Sequence, residues 1–262
     1  MKILFIGDIV GSPGREAVKK LIPEIRKEYA IDFVIANAEN AAGGSGLTGR
    51  ISAELFDAGI SVITAGDHIW KKSDIFEIIG RDPRILRPIN FPAGAPGEGM
   101  GVFEAAPGIR VAVINVLGRV FIDALLDCPF KASRQAAETA LKDTPIIIVD
   151  IHAEATSEKI ALGWYLEDIC SAVVGTHTHI QTADEKILPK GCAYITDVGM
   201  TGPYASVIGR RVEDVLKRFL TSIPTRFEVA TEDIQLHGAV IDIDEKTGRA
   251  KSIVGIQKKL VS

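Results

Sequence analysis

Basic charge is in short supply. The 30 Lys and Arg residues are outnumbered by 34 Asp and Glu, giving a formal net charge of −4, so the chain lacks the cationic footprint that holds duplex nucleic acid. Long hydrophobic runs are missing as well. Met1-Lys2-Ile3-Leu4-Phe5-Ile6 is interrupted by Asp8 before it could act as a secretory core, and no apolar stretch reaches spanning length. No membrane association and a cytoplasmic location are therefore expected. Cysteine is sparse: Cys128, Cys170 and Cys192 are odd in number and widely spaced, which excludes a disulfide framework or a cysteine metal knuckle and reads as buried structural thiols. No Gly-x-Ser-x-Gly elbow supports a serine nucleophile, and Gly11-Ser12-Pro13-Gly14 lacks the Gly-Lys-[Ser/Thr] ending of a P-loop. No internal repeat or low-complexity tract is visible. With 47% hydrophobic residues, the chain is ordinary globular material with ample core.

What is present is a set of polar groups at the ends of apolar runs. Such runs end at Gly7-Asp8, Asn37-Ala38-Glu39-Asn40, Gly66-Asp67-His68, Asp150-Ile151-His152 and Thr176-His177-Thr178-His179, which accounts for four of the five histidines. Short β-branched runs without polar alternation predict strands buried on both faces. Ligands of such folds gather at the carboxyl ends of the strands.

Helical spacing of Ala17, Val18, Leu21, Ile22 and Ile25 predicts a helix over 12–29, with further helices near 48–58 and 73–80. The opening half reads as β-α-β-α-β. Seven Pro and Gly residues between Arg81 and Gly101 mark a long loop of the kind that often rims a pocket. Strands are expected at 101–106, 110–116 and 193–197, the last ending in a glycine-rich turn. Helices are expected at 131–142, 157–168 and 212–220, and a closing hairpin at 235–244 and 251–260.

Each candidate has a plain structural alternative. Asp8 could cap a helix and Gly66-Asp67 could be a turn. Glu39 is more telling, because Glu has no turn preference yet closes an apolar run. In Gly175-Thr176-His177-Thr178-His179, extended backbone would point both imidazoles the same way, toward a shared metal pair. His152 alone reads as a core or surface histidine, and His237 is assigned to the fold. Together, however, five strand ends each deliver an O or N ligand, a mixture suited to Fe, Mn, Zn or Co. Two ions roughly 3.5–4 Å apart can polarise a phosphoryl oxygen and generate a hydroxide nucleophile.

In order, Gly7-Asp8, the acid after the second strand, Gly66-Asp67-His68, His152 and Gly175-Thr176-His177-Thr178-His179 resemble the blocks of the calcineurin-like metallophosphoesterases. More narrowly, Gly7-Asp8-Ile9-Val10-Gly11, Ala36-Asn37-Ala38-Glu39-Asn40-Ala41-Ala42-Gly43-Gly44, His152-Ala153-Glu154-Ala155-Thr156-Ser157-Glu158-Lys159 and Thr196-Asp197-Val198-Gly199-Met200-Thr201-Gly202 are similar to the bacterial YmdB family of cyclic-nucleotide phosphodiesterases, over nearly the whole chain. That resemblance implies one domain over 1–262, a four-layer α/β/β/α sandwich with two central mixed sheets. It also implies homo-oligomerisation, a pair of divalent ions, Fe or Mn, and hydrolysis of 2′,3′-cyclic nucleotides by a metal-activated hydroxide, with 3′,5′-cyclic nucleotides as a further candidate class. By the same resemblance, Asp8, Asn40 and His179 hold one ion, Asp67, His152 and His177 hold the other, Glu39 bridges them, and His68 is the catalytic group at the leaving oxygen.

Two departures stand out. Val10 replaces the histidine of the superfamily's Asp-x-His, a vacancy that Asn40 fills, and Asp67 stands where the wider pattern has Asn. A metal-dependent amidohydrolase would place His-x-His first and a lone Asp late, the reverse of this order. A regulatory protein that binds a nucleotide or a partner and turns over slowly is the alternative that the residues leave open.

Overall fold

Side-chain alternation in the first strand sets the architecture. In β1 (Lys2–Ile6), Ile3 and Phe5 enter one apolar core while Leu4 and Ile6 enter another, so the strand needs cover on both faces. The computed structural model, which describes residues 1–261, supplies that cover in layers. After β1 come β2 (Asp8–Ile9), α1 (Gly11–Tyr29), β3 (Phe33–Asn37), α2 (Gly49–Asp57), β4 (Val62–Thr64) and the one-turn α3 (Ile75–Ile78). The chain continues through β5 (Met100–Ala106), β6 (Ile109–Leu117), α4 (Pro129–Ala140), β7 (Ile147–His152), α5 (Thr156–Leu166), β8 (Ala172–Thr176), β9 (Lys186–Ile187) and β10 (Ala193–Ile195). It ends with β11 (Met200–Pro203), α6 (Val212–Thr221), β12 (Ile234–Ile243) and β13 (Ala250–Lys259).

One mixed sheet runs β2-β11-β12-β1-β3-β4 with β13 also on β12, and a second runs β5-β6-β7-β8-β10-β9. Ile3, Phe5 and Ile35 meet Val113, Ile148 and Val174 between them. On the outer face of the first sheet, Leu4, Ile6 and Val34 pack on Val18, Leu21 and Ile22 of α1. On the outer face of the second, Ile147 and Val149 pack on Ala137, Leu162 and Leu166 of α4 and α5. Three cores separate four layers, helix, sheet, sheet, helix, as expected. Within each sheet the strands that matter are parallel: β1, β3 and β4 in the first, β6, β7, β8 and β10 in the second. All their carboxyl ends therefore lie on one rim of their sheet.

Some expectations need correcting. The glycine-rich turn expected after 197 is in part a strand, β11, which pairs with both β2 and β12; two- and four-residue strands are too short to carry a period. The Arg81–Gly101 loop does not line the cavity at the site described below. Ile85 and Leu86 bridge instead to Ile63 and Glu98, extending the sheet edge. Cys170 and Cys192 are buried free thiols, but Cys128 is only half-buried, because it precedes Pro129 where α4 begins. Among the described residues, no helix is long and apolar enough to cross a membrane.

Candidate functional site

Every side chain singled out at a strand end arrives at one place, where the carboxyl rims of the two sheets meet. Asp8 follows β1, Glu39 and Asn40 follow β3, and Asp67 and His68 follow β4. His152 closes β7, and His177 and His179 follow β8. One donor atom from each of Glu39, Asp67, His152 and His177 lies within 4.8 Å of all the others. Beside this group stand Asp8, Asn40 and His179: His179 Nε2 is 3.7 Å from Asp8 Oδ1 and 3.3 Å from Asn40 Nδ2. Glu39 sits between the groups, its Oε1 3.2 Å from His152 Nε2 and 3.3 Å from Asn40 Nδ2. His237 is elsewhere, stacked on Tyr204 within β12, as assigned.

The electrostatics call for positive charge. Asp8 is fully buried, and burial pushes its carboxyl up to about 7, with Asp197 and Glu39 adding and His152 opposing. Burial acts on Glu39 and Asp67 in the same direction, but His152 and His68 together, joined at Asp67 by His177, outweigh it and both are held below the usual carboxylate range. His152 itself is fully buried, which disfavours its charge, yet Glu39, Asp67 and Asp8 hold it well above the usual imidazole range. Burial and the neighbouring His152 take His177 down to about 4. Two carboxylate oxygens, Asp8 Oδ1 and Asp67 Oδ1, are buried with no hydrogen-bond partner. An unpaired buried carboxylate oxygen is expensive, and here one stands in each group.

The imidazoles are aimed from behind. His179 Nδ1 lies 3.0 Å from the Ile208 carbonyl oxygen, and His177 Nε2 is 3.1 Å from Glu154 Oε2. His152 Nδ1 is 2.9 Å from Thr176 Oγ1. That hydroxyl donates to Asp150 Oδ1 at 2.7 Å, so it accepts from His152 Nδ1 and leaves Nε2 directed at Glu39 and Asp67. Fixing the rear nitrogen with an acceptor is how proteins orient metal-ligating histidines.

His177 and His179 are not in extended backbone, contrary to the strand-alternation argument. β8 ends at Thr176, and both histidines have positive φ, 97° and 65°. Such conformations are strained for residues with a Cβ, by about 1–3 kcal/mol each, and persist only where surroundings hold them. They are held here. Asp8 Oδ2 accepts from His177 N at 3.1 Å. Between the histidines, Thr178 donates to Asp197 Oδ2 from its backbone N at 3.0 Å and from Oγ1 at 2.6 Å. Asp197 is also bonded to Lys159 Nζ at 2.8 Å, and both ionic side chains are fully buried.

The supporting residues were the ones missed as individuals. Asp150 accepts from Asn37 Nδ2 at 3.2 Å and from Thr64 Oγ1 at 2.5 Å, tying β3 and β4 to β7 across the sheet interface. Asp150 stands two residues before His152, so it shares a strand face with it; that spacing was the available signal. Lys159 and Asp197 fell inside quoted motifs without an assigned role. Gly66 carries a steric requirement: a Cβ there would stand 2.1 Å from the His152 ring and 2.5 Å from Glu39 Oε2.

The site opens into a cavity of about 530 Å³ whose lining includes Glu39, Asn40, His68, His177 and His179 together with Ile208, Arg210, Phe219 and Phe227. His68 is partly exposed to it. Its Nδ1 lies 2.8 Å from Asn40 Oδ1, and its backbone N donates to Glu39 Oε2 at 2.9 Å.

Two mixed sheets face to face between helices, with acids and imidazoles converging from their rims, define the sandwich of the metallophosphoesterases. The chain matches the family model of the YmdB-like protein over residues 4–256, and it belongs to that family. It is 53% identical over 253 residues to the 2′,3′-cyclic-nucleotide 2′-phosphodiesterase of Bacillus subtilis (strain 168), covering 97% of this chain and 95% of that protein. A hypothetical protein from Thermus thermophilus superimposes with a TM-score of 0.92 at 41% identity, covering 99% of each chain. A structure described as a novel phosphatase from Mycoplasma pneumoniae also gives 0.92, at 34% identity, covering 99% of this chain and 93% of that one.

Proposed function

We propose that this chain is a metal-dependent phosphodiesterase that hydrolyses 2′,3′-cyclic nucleotides at a two-ion centre, with 3′,5′-cyclic nucleotides a second class open to the same chemistry. The observation that carries this reading is the pair of orphaned buried oxygens, Asp8 Oδ1 and Asp67 Oδ1, on either side of Glu39. Each faces imidazole nitrogens whose rear atoms are already engaged. Mixed carboxylate and imidazole donors fit Fe or Mn, and the activity for which the Bacillus subtilis relative is named agrees with the substrate class.

Asp8, Asn40 and His179 would hold one ion and Asp67, His152 and His177 the other, with Glu39 shared between them. Bound there, divalent ions would polarise a phosphoryl oxygen and acidify a water for attack. The chain's own residues do the rest. Glu154, Thr176 and the Ile208 carbonyl keep the imidazoles aimed, and the Lys159–Asp197 pair holds the His177–His179 turn in its strained form. His68 reaches the cavity with Nδ1 donating to Asn40 Oδ1, so in its imidazolium form Nε2, 3.6 Å from Asp67 Oδ2, is the atom to give a proton to the departing ribose oxygen, leaving the neutral Nδ1–H ring. Opening a five-membered cyclic phosphate leaves a monoester on one hydroxyl and frees the other, so a proton donor on that side is required.

The test is turnover of 2′,3′-cyclic AMP by purified protein loaded with Mn²⁺. The expected result is conversion to a single adenosine monophosphate isomer, abolished by chelation. No conversion by protein carrying bound metal would overturn the reading.

A further inference from the structure

The cavity has a second half that the ion-binding residues do not explain. Besides the polar floor, the lining includes Ile208, Phe219 and Phe227, together with Arg210. Arg210 and Arg211 are neighbours with opposite fates. Arg211 reaches outward to Glu228 at 3.1 Å and Glu213 at 3.8 Å. Arg210 turns inward and is half-buried; its guanidinium donates to the Gly44 carbonyl, and among the described residues it forms no ion pair. Burial alone holds it below the usual guanidinium range, with no carboxylate contributing. Gly44 makes room for it, since a Cβ there would overlap the guanidinium. A desolvated cation without a counter-ion, in the same cavity as the reactive floor, awaits an anion.

The apolar side is equally unfinished. Helix α6 buries only Val215, yet Phe219 is 78% exposed and Phe227 39%. Aromatic faces beside a phosphate site are what a nucleobase stacks on, and every base offers a π-face.

We propose that Arg210 clamps the phosphate of the substrate and that Phe219 and Phe227 receive its base, which makes the 208–227 segment the element that recognises a nucleotide rather than any phosphodiester. This rests on the phosphodiesterase reading above. A cyclic phosphate is a monoanion; a guanidinium fork engages its non-bridging oxygens while the ribose bridges the distance to the aromatic wall. Arg218 also lines the cavity, but it is an exposed side chain that donates to Ser222 at the end of its own helix, so Arg210 is the cation whose charge burial leaves uncompensated.

Two substrates separate the parts: 2′,3′-cyclic AMP and 1-O-methylribose 2′,3′-cyclic phosphate, which lacks the base. Arg210→Met should raise KM for both by about 10- to 100-fold, the span of a charge-assisted hydrogen bond, with a smaller fall in kcat and an unchanged melting temperature. Arg210→Lys should recover part of the loss. The double variant Phe219→Ala/Phe227→Ala should raise KM for cyclic AMP by about tenfold and leave the base-free substrate unaffected. An unchanged KM in Arg210→Met overturns the clamp. Equal losses on both substrates in the double variant, with a smaller species than the wild type in sedimentation, overturn the base wall and make α6 a contact between copies. If the wild type turns over neither substrate, the functional reading fails, and calorimetry with adenosine 3′-monophosphate then decides the inference: binding by wild type that is lost in Arg210→Met supports it, and equal or absent binding overturns it.

Discussion

The two sheets contribute different chemistry to one site. The first delivers the carboxylates of the two groups, Asp8, Glu39 and Asp67, from the ends of β1, β3 and β4; the second delivers His152, His177 and His179 from β7 and β8. Three acids on one rim repel one another, and only the opposite rim brings the nitrogen donors that complete an ion site. Neither sheet is a site alone. Beneath these side chains the seam is tied by Asn37 and Thr64 of the first sheet bonding to Asp150 of the second.

The largest expected effect comes from removing the cations that reconcile the rims. Exhaustive chelation should abolish phosphodiesterase activity and lower the melting temperature by about 10–20 °C, as expected for two ions each held at about a hundred times its Kd. Mn²⁺ or Fe²⁺ should restore both. Full activity and stability in protein shown metal-free by elemental analysis would remove the cations from the account.

Next come single groups on either side of the seam. His177→Ala should lose bound metal together with activity. His68→Ala should keep its metal while kcat falls by about 10²–10⁴-fold, the usual span for a general acid or base. Measuring metal stoichiometry beside kcat in both variants separates the roles; equal metal loss in His68→Ala would make it a ligand.

Of these features, the strand ends and their convergence were legible in sequence, and the order of the sheets that brings them together was not. Asp8, Glu39, Asp67, His152 and His177 end apolar runs, which a single chain displays directly. Which rims face each other depends on sheet order, and β11 and β2 are too short to show a period, so the sequence points to a turn in place of β11 and to no separate strand at β2. The His177-Thr178-His179 pair reached the site for a different reason than alternation gives, because positive φ at both histidines is imposed by tertiary contacts. Asp197 and Lys159 carried no individual signal, since a buried charge announces itself only through its partner, and Asp150 had only its spacing from His152.

That strained turn supplies a smaller effect. Lys159→Met leaves Asp197 buried without its cation, at a cost of about 3–5 kcal/mol, so the melting temperature should fall by roughly 10 °C and metal affinity at His177 and His179 should weaken with it. A variant as stable as wild type would show that the pair does not hold the turn.

The smallest effect concerns Asp67, the acid found where the wider superfamily pattern has Asn. Asp67→Asn makes the centre one unit more positive, so affinity for the second ion should fall severalfold while kcat/KM at saturating metal rises. Activity titrated against Mn²⁺ for both proteins checks this, and equal metal affinity and equal kcat/KM would remove Asp67 from the ligands.

The most direct test of a site built half from each sheet is anomalous diffraction at the manganese edge from crystals of the Mn²⁺-loaded protein. Two peaks per chain are expected, one among Asp8, Asn40 and His179 and one among Asp67, His152 and His177, with Glu39 touching both. A single peak, or peaks held by residues of one sheet only, would contradict it.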